Sequence, residues 1–144
     1  MTGEYIAESQ VEVNAPAARV WQALTEPAQV KQYFFDTDLK TDWQVGSPMT
    51  FSGTWEDKPY EDLGTVLAFE PSRRLSYSHW SPLSGTPDSP ENRHTLDVTL
   101  AEHDGRTTVT LTQDNNASEE ARDHSADNWR MVLDGLKQHV EGAK

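Results

Sequence analysis

The sequence predicts an α+β domain in which a curved antiparallel sheet closes around one long C-terminal helix. Three observations carry this. From residue 37 to about 114 the apolar residues recur with period two, in six runs separated by turn residues. Trp129, Val132, Leu133, Leu136 and Val140 then fall at i, i+3, i+4, i+7 and i+11, a single apolar stripe on a helix. A one-sided antiparallel sheet needs a cover and one amphipathic helix needs a floor, so each answers the other. With 144 residues, of which 35% are hydrophobic, the chain is expected to fold as a single domain over 1–144 with one core.

Residues 5–13 place Ala7, Val11 and Val13 on one side and Glu8, Gln10 and Glu12 on the other, which reads as a half-buried strand. Asn14-Ala15-Pro16 ends it. Asn14 or Ala15 stands where a helix cap belongs, and Pro16 suits a first helical turn, where a missing N–H is no loss. Val20, Trp21 and Leu24 continue at helical spacing. Pro27 breaks this helix and starts a second short one, through Val30 to Phe34.

Strands are then expected near 38–42, 49–56, 62–70, 74–81, 93–102 and 106–114. Gly46-Ser47-Pro48, Asp57-Lys58-Pro59 and Pro71-Ser72 separate the early ones, and Pro82 to Asn92 makes a longer loop. Asp104-Gly105 reads as a type I′ hairpin turn, because both residues tolerate positive φ. Ser118 opens the last helix, where Glu119 and Glu120 complement its positive end; the helix is expected to close near Gly142. Gly135 reads as a point of close approach to the sheet.

The totals exclude some functions. A formal net charge of −12, with no lysine or arginine run, repels phosphate backbones and anionic membranes. Nucleic acid and membrane partners are therefore not expected. Absence of cysteine removes disulfides, thiolate nucleophiles and thiolate metal ligands. Met1-Thr2-Gly3-Glu4-Tyr5 lacks the basic and apolar regions of a signal peptide, and no apolar run is long enough to span a bilayer, so a cytoplasmic location is expected.

The Asp104-Gly105 turn fixes a register. It pairs His103 with Arg106, Leu100 with Val109, Val98 with Leu111, Leu96 with Gln113 and His94 with Asn115. Parity then puts these side chains on one face, opposite Thr95, Asp97, Thr99, Thr108 and Thr110. Leu75, Tyr77 and His79 join the inner face, as do Phe51 and Trp55. One end of that face is aliphatic. The other collects Trp55, Tyr77, His79, His94, Gln113 and Asn115, the make-up of a small-molecule site with an apolar floor. Candidate ligand-binding residues are therefore Phe51, Trp55, Tyr77, His79, His94, Leu96 and Gln113 from the sheet, with Trp129 and Leu133 from the helix. The competing reading leaves the polar ones solvated at the sheet end and the aromatic ones as core.

Chemical motifs are few. The five histidines show no metal-binding spacing; His79 and His94 could meet across neighbouring strands, but a zinc site needs a third ligand. Glu120, His124 and Asp127 share a helix face that reads as solvated, and Glu61-Asp62 reads as flanking a turn. Nucleophile elbows and phosphate loops are missing. No metal, no cofactor and no catalytic residue is expected.

Ala15-Pro16, Val20-Trp21, Leu24-Thr25, Pro27, Gly64, Val66, Glu70-Pro71, Leu75, Tyr77, Gly105, Thr108-Val109, Leu111-Thr112, Trp129, Leu133 and Leu136-Lys137 together carry a recognisable pattern. In their order the chain resembles bacterial homologues of the heat-shock-protein ATPase activator, within the START-like (SRPBCC) superfamily. That resemblance implies the helix-grip fold and a cavity between sheet and long helix. It implies no shared catalytic set. The expected function is non-catalytic binding of a hydrophobic or amphipathic small molecule in that cavity. Two alternatives stand beside it: a co-chaperone or stress-response protein with a chaperone or other protein partner, and a cyclase-like enzyme using His79, His94 or Tyr77. Either a monomer or a homodimer is compatible with the sequence. Where relatives often carry tryptophan after the second helix, this chain departs with Tyr33-Phe34-Phe35, so the resemblance does not define the cavity mouth.

Overall fold

The period-two runs pair into a seven-stranded antiparallel sheet of order β1-β7-β6-β5-β4-β3-β2. The structure, a computed structural model, describes residues 5–33, 37–55, 57–81, 93–116 and 118–142. In chain order the elements are β1 (Tyr5–Val13), α1 (Ala17–Thr25), α2 (Pro27–Tyr33), β2 (Asp38–Lys40), β3 (Pro48–Trp55), β4 (Lys58–Glu70), β5 (Arg74–Trp80), β6 (His94–His103), β7 (Arg106–Asn116) and α3 (Glu119–Gly142). The loop expected from Pro82 to Asn92 and the Phe34-Phe35 pair lie outside the described residues. This is the helix-grip arrangement: the sheet curves and the long C-terminal helix lies in its concavity, with the two short helices closing one end.

Asp104 and Gly105 adopt φ values of 53° and 79°, the left-handed pair that a type I′ turn requires. The register follows as expected through His103↔Arg106, Leu100↔Val109, Val98↔Leu111 and Leu96↔Gln113. It stops there. Asn115 turns to φ 57° and faces solvent, where its amide donates to the Arg93 carbonyl at 3.0 Å. The expected His94–Asn115 pair is therefore not made, and Asn115 leaves the inner face.

Two strand boundaries differ from expectation. β4 begins at Lys58, not near 62, because Trp55 pairs with Lys58 across a tight turn in which Asp57 takes φ 66°. Pro59 is tolerated inside the strand since, among the described residues, 58–62 pair only with β3; pairing with β5 starts at Leu63↔Trp80. Further along, a bulge between Val66 and Ala68 adds one residue to β4. It restores Phe69 to the inner face, where Phe69 packs edge-on to Trp21 at 5.2 Å and stacks on Trp43 at 5.5 Å.

α3 is fastened along β1. Ser9 Oγ donates to the Ala126 carbonyl at 2.6 Å, and Lys137 Nζ donates to the Glu12 carbonyl at 2.9 Å and to Glu141 at 2.6 Å. The Lys137 ammonium and the Asn14 N–H hold the Glu141 carboxyl below the usual range. Leu133, Leu136 and Val140 from the apolar stripe enter the core with Val13, Val20, Val98 and Val109. Gly135 approaches α2, not the sheet: a Cβ there would stand 3.2 Å from the Tyr33 Cβ.

The cap of α1 also departs from expectation. Pro16 itself is the N-cap residue, with ψ 157° and no side-chain hydrogen bond. The Ala17 N–H is instead accepted by Glu102 Oε1, from the end of β6, at 2.7 Å. A carboxylate at a helix N-terminus satisfies an otherwise unpaired donor and opposes the helix dipole. Glu102→Ala is expected to cost about 1 kcal/mol, with Glu102→Gln retaining part of it; urea unfolding of the three proteins measures the difference.

Candidate functional site: a cavity beneath the first half of the C-terminal helix

The apolar stripe of α3 begins only at Trp129. Before it Ala121, Ser125 and Ala126 are half-buried small residues, and Ser125 faces an open space between the helix and β3–β5. The gap is a cavity of about 660 Å³, within the range of small-molecule sites. Phe51, Thr54, Tyr60, Asp62 and His79 line it from β3–β5 and Gln113 from β7, with Thr37 beside β2; His124, Ser125, Asn128, Trp129, Met131 and Val132 line it from α3. Exposed His124, Asn128 and Met131 mark its rim.

Below it lies a second void of only about 40 Å³, walled by Leu39, Met49, Leu75, Tyr77, Val98, Leu111, Leu133 and Leu136 among others. Phe51, Trp129 and Val132 border both spaces and form the partition. The aliphatic end of the inner face is thus packed solid, and the open volume is confined to the mixed end.

The nine candidate residues divide accordingly. Phe51, His79, Gln113 and Trp129 line the open cavity. Tyr77 and Leu133 line only the inner void, and burial pushes the Tyr77 phenol far above its ordinary pKa. Leu96, 1% exposed, borders neither space. His94 sits opposite His79 in the ladder, yet its Nδ1 is bonded to the Asp114 carbonyl at 2.8 Å and the ring does not line the cavity. Trp55 is in β3, paired with Lys58; its side chain lies outside the described residues.

Gln113 is engaged as scaffold. Its Oε1 accepts from Trp129 Nε1 at 2.6 Å, and its Nε2 donates to Asn116 Oδ1 at 3.1 Å and to Ser125 Oγ at 3.3 Å. Asn116 in turn donates to the Tyr5 carbonyl at 2.8 Å. This buried amide network fixes the indole of Trp129 against the sheet.

The residue that sequence reasoning missed is Asp62. Placing a turn at 57–61 put it on a flank; in β4 it alternates with Tyr60, Gly64 and Val66 and points inward. Its Oδ2 meets His79 Nε2 at 3.1 Å. Its Oδ1 is fully buried and has no hydrogen-bond partner, the single such side-chain atom among the described residues. Beside it, the hydroxyls of Tyr60 and Thr37 bond one another at 2.9 Å. Strand alternation counted back from Val66 through Gly64 would have found Asp62, the first residue of the strand expected at 62–70. Among the described residues no group of three potential metal ligands converges, and no helix is long and apolar enough to cross a membrane.

The fold agrees with what the chain is similar to. Protein ChR145 from Cytophaga hutchinsonii is 44% identical, with a TM-score of 0.86 over 99% of this chain and 97% of that one. The Aha1 dimer from Colwellia psychrerythraea (19% identity, TM-score 0.73, 96% of this chain and 98% of that one) shares the fold. So does CalU16 from Micromonospora echinospora (22% identity, TM-score 0.73, 96% and 87%). No curated protein sequence matches the chain. The family model described as activator of Hsp90 ATPase homolog 1-like protein matches residues 14–141, nearly the whole of the sequence, and the chain belongs to that family.

Proposed function

We propose that this protein binds a small amphipathic molecule in the 660 Å³ cavity between β3–β5 and the first half of α3. The observation that carries the reading is the composition of one continuous space: an apolar partition of Phe51, Trp129 and Val132 facing a polar wall of Thr37, Tyr60, Asp62 and His79. Burial of apolar ligand surface on the partition supplies affinity, and the few polar groups supply orientation. The reading is one of binding without turnover. Of the three residues the enzyme alternative relied on, Tyr77 is buried below the partition and His94 is turned away. The co-chaperone alternative draws on the family description alone.

N-phenylnaphthylamine, an apolar fluorophore that brightens out of water, tests the reading. Saturable binding at one site per chain is expected. Amide shift changes should be confined to β3–β5 and the 124–132 face of α3. Unsaturable fluorescence, or shifts spread over the outer sheet face, would remove the proposal.

A further inference from the structure

Resting on the binding reading above, we infer that the cavity selects ligands by a hydrogen-bond donor, a hydroxyl or amine head delivered to Asp62, and rejects carboxylate-headed amphiphiles such as fatty acids. Among the described residues, the cavity wall carries one carboxylate and no lysine or arginine. A carboxylate can accept up to four hydrogen bonds; Asp62 accepts one, from His79. Its Oδ1 is shut off from solvent, so water does not make good the deficit. Leaving such an oxygen dry and unpaired is costly, and natural proteins rarely do so without a partner to come.

The missing partner can be delivered from the cavity. Asp62 lines it, with its side chain 17% exposed. The terminal torsion of aspartate is broad, so a modest rotation trades the dry oxygen to the cavity surface at little cost. His79, edge-on to Phe51 at 5.5 Å, holds the other oxygen at 3.1 Å in the resting arrangement. Beside it the Tyr60–Thr37 pair holds two hydroxyl protons and uses one between them, which leaves a second donor for an acceptor group on the same ligand.

An anionic head meets the opposite situation. It would bring a second carboxylate beside Asp62 with no lysine or arginine among the described wall residues to offset it, and like charges at close range disfavour each other strongly. The chain's net charge of −12 adds to the repulsion at a distance.

The test is a head-group series on one apolar frame: naphthalene, naphthol, naphthylmethylamine and naphthoate, titrated at neutral pH into the full chain by protein-observed NMR. Naphthol and naphthylmethylamine are expected to bind about tenfold more tightly than naphthalene, as one well-made hydrogen bond to a charged acceptor provides. Naphthoate should bind more weakly than naphthalene. Asp62→Asn, nearly isosteric, should erase the advantage of the amine and admit naphthoate. Naphthalene binding with equal affinity for every head, a naphthoate as tight as naphthol, or a ranking unchanged in Asp62→Asn would overturn the donor preference alone. Failure of all four to bind, naphthalene included, would overturn the binding reading and this inference together. Should Asp62→Asn lose its near-UV circular dichroism, the ranking in the unaltered protein decides the matter.

Discussion

Gly64→Ala is expected to destabilise the protein by about 3 kcal/mol and to lower its melting temperature by about 10 °C. Gly64 is buried in the middle of β4, facing inward between Asp62 and Val66, with Met49 on one side and His79 on the other. A methyl group there would overlap the Ser78 carbonyl oxygen, a backbone atom of the neighbouring strand. A flexible side chain could swing away from such a methyl; a ladder carbonyl cannot move without separating β4 from β5. The same displacement would carry Asp62 away from His79, so probe affinity should fall along with stability. Urea unfolding and a melting curve measure the first effect, and the N-phenylnaphthylamine titration the second. A loss below about 1 kcal/mol would mean that the strands separate easily at this point, and that the tight approach is not what shapes the cavity wall.

Gly64 also shows how far the sequence alone can be read. Its position in the family pattern was visible in the chain, but the reason for it was not, since the approach of the Ser78 carbonyl depends on how sharply the sheet bends there. The elements that read correctly are those fixed by local chemistry. Asp104-Gly105 dictates its own turn, and the turn dictates the register for the next eight residues of each strand. The stripe from Trp129 to Val140 identifies its helix and its buried face.

What could not be read depends on contacts between distant segments. Glu102 caps α1 across 85 positions of sequence, which no local rule anticipates. The bulge at Leu67 shifts the phase of β4 by one residue and so reassigns Phe69. Asp57-Lys58-Pro59 read as a break, because a proline argues against a central strand; among the described residues that stretch pairs with β3 only, and there the argument lapses. Reading Glu61-Asp62 as the flank of that turn hid Asp62. The cavity, by contrast, had a signature that was legible in retrospect: a long helix whose apolar stripe covers only its second half leaves the sheet beneath the first half uncovered.

Trp129 stands where that stripe begins, and its removal should have the second large effect. Trp129→Ala deletes the largest side chain of the partition between the open cavity and the inner void. The indole is half-buried, so the cost belongs at the low end for such truncations, about 3 kcal/mol. Part of that cost arises because Gln113 Oε1 loses its 2.6 Å donor while the amide network to Asn116 and Ser125 stays in place. Trp129→Phe keeps most of the apolar area but not the donor; a loss of about 1 kcal/mol is expected for it, and the difference between the two variants isolates the packing. The consequence for binding runs the other way. With the partition opened, the 660 Å³ cavity communicates with the void above Tyr77, Leu133 and Leu136, and the aliphatic end of the inner face becomes reachable. Across a series of n-alkanols, the chain length bound most tightly should therefore increase in Trp129→Ala and stay unchanged in Trp129→Phe. If the preferred length is the same in all three proteins, the partition does not set ligand size, and the interior must close over the missing indole as fast as it is removed.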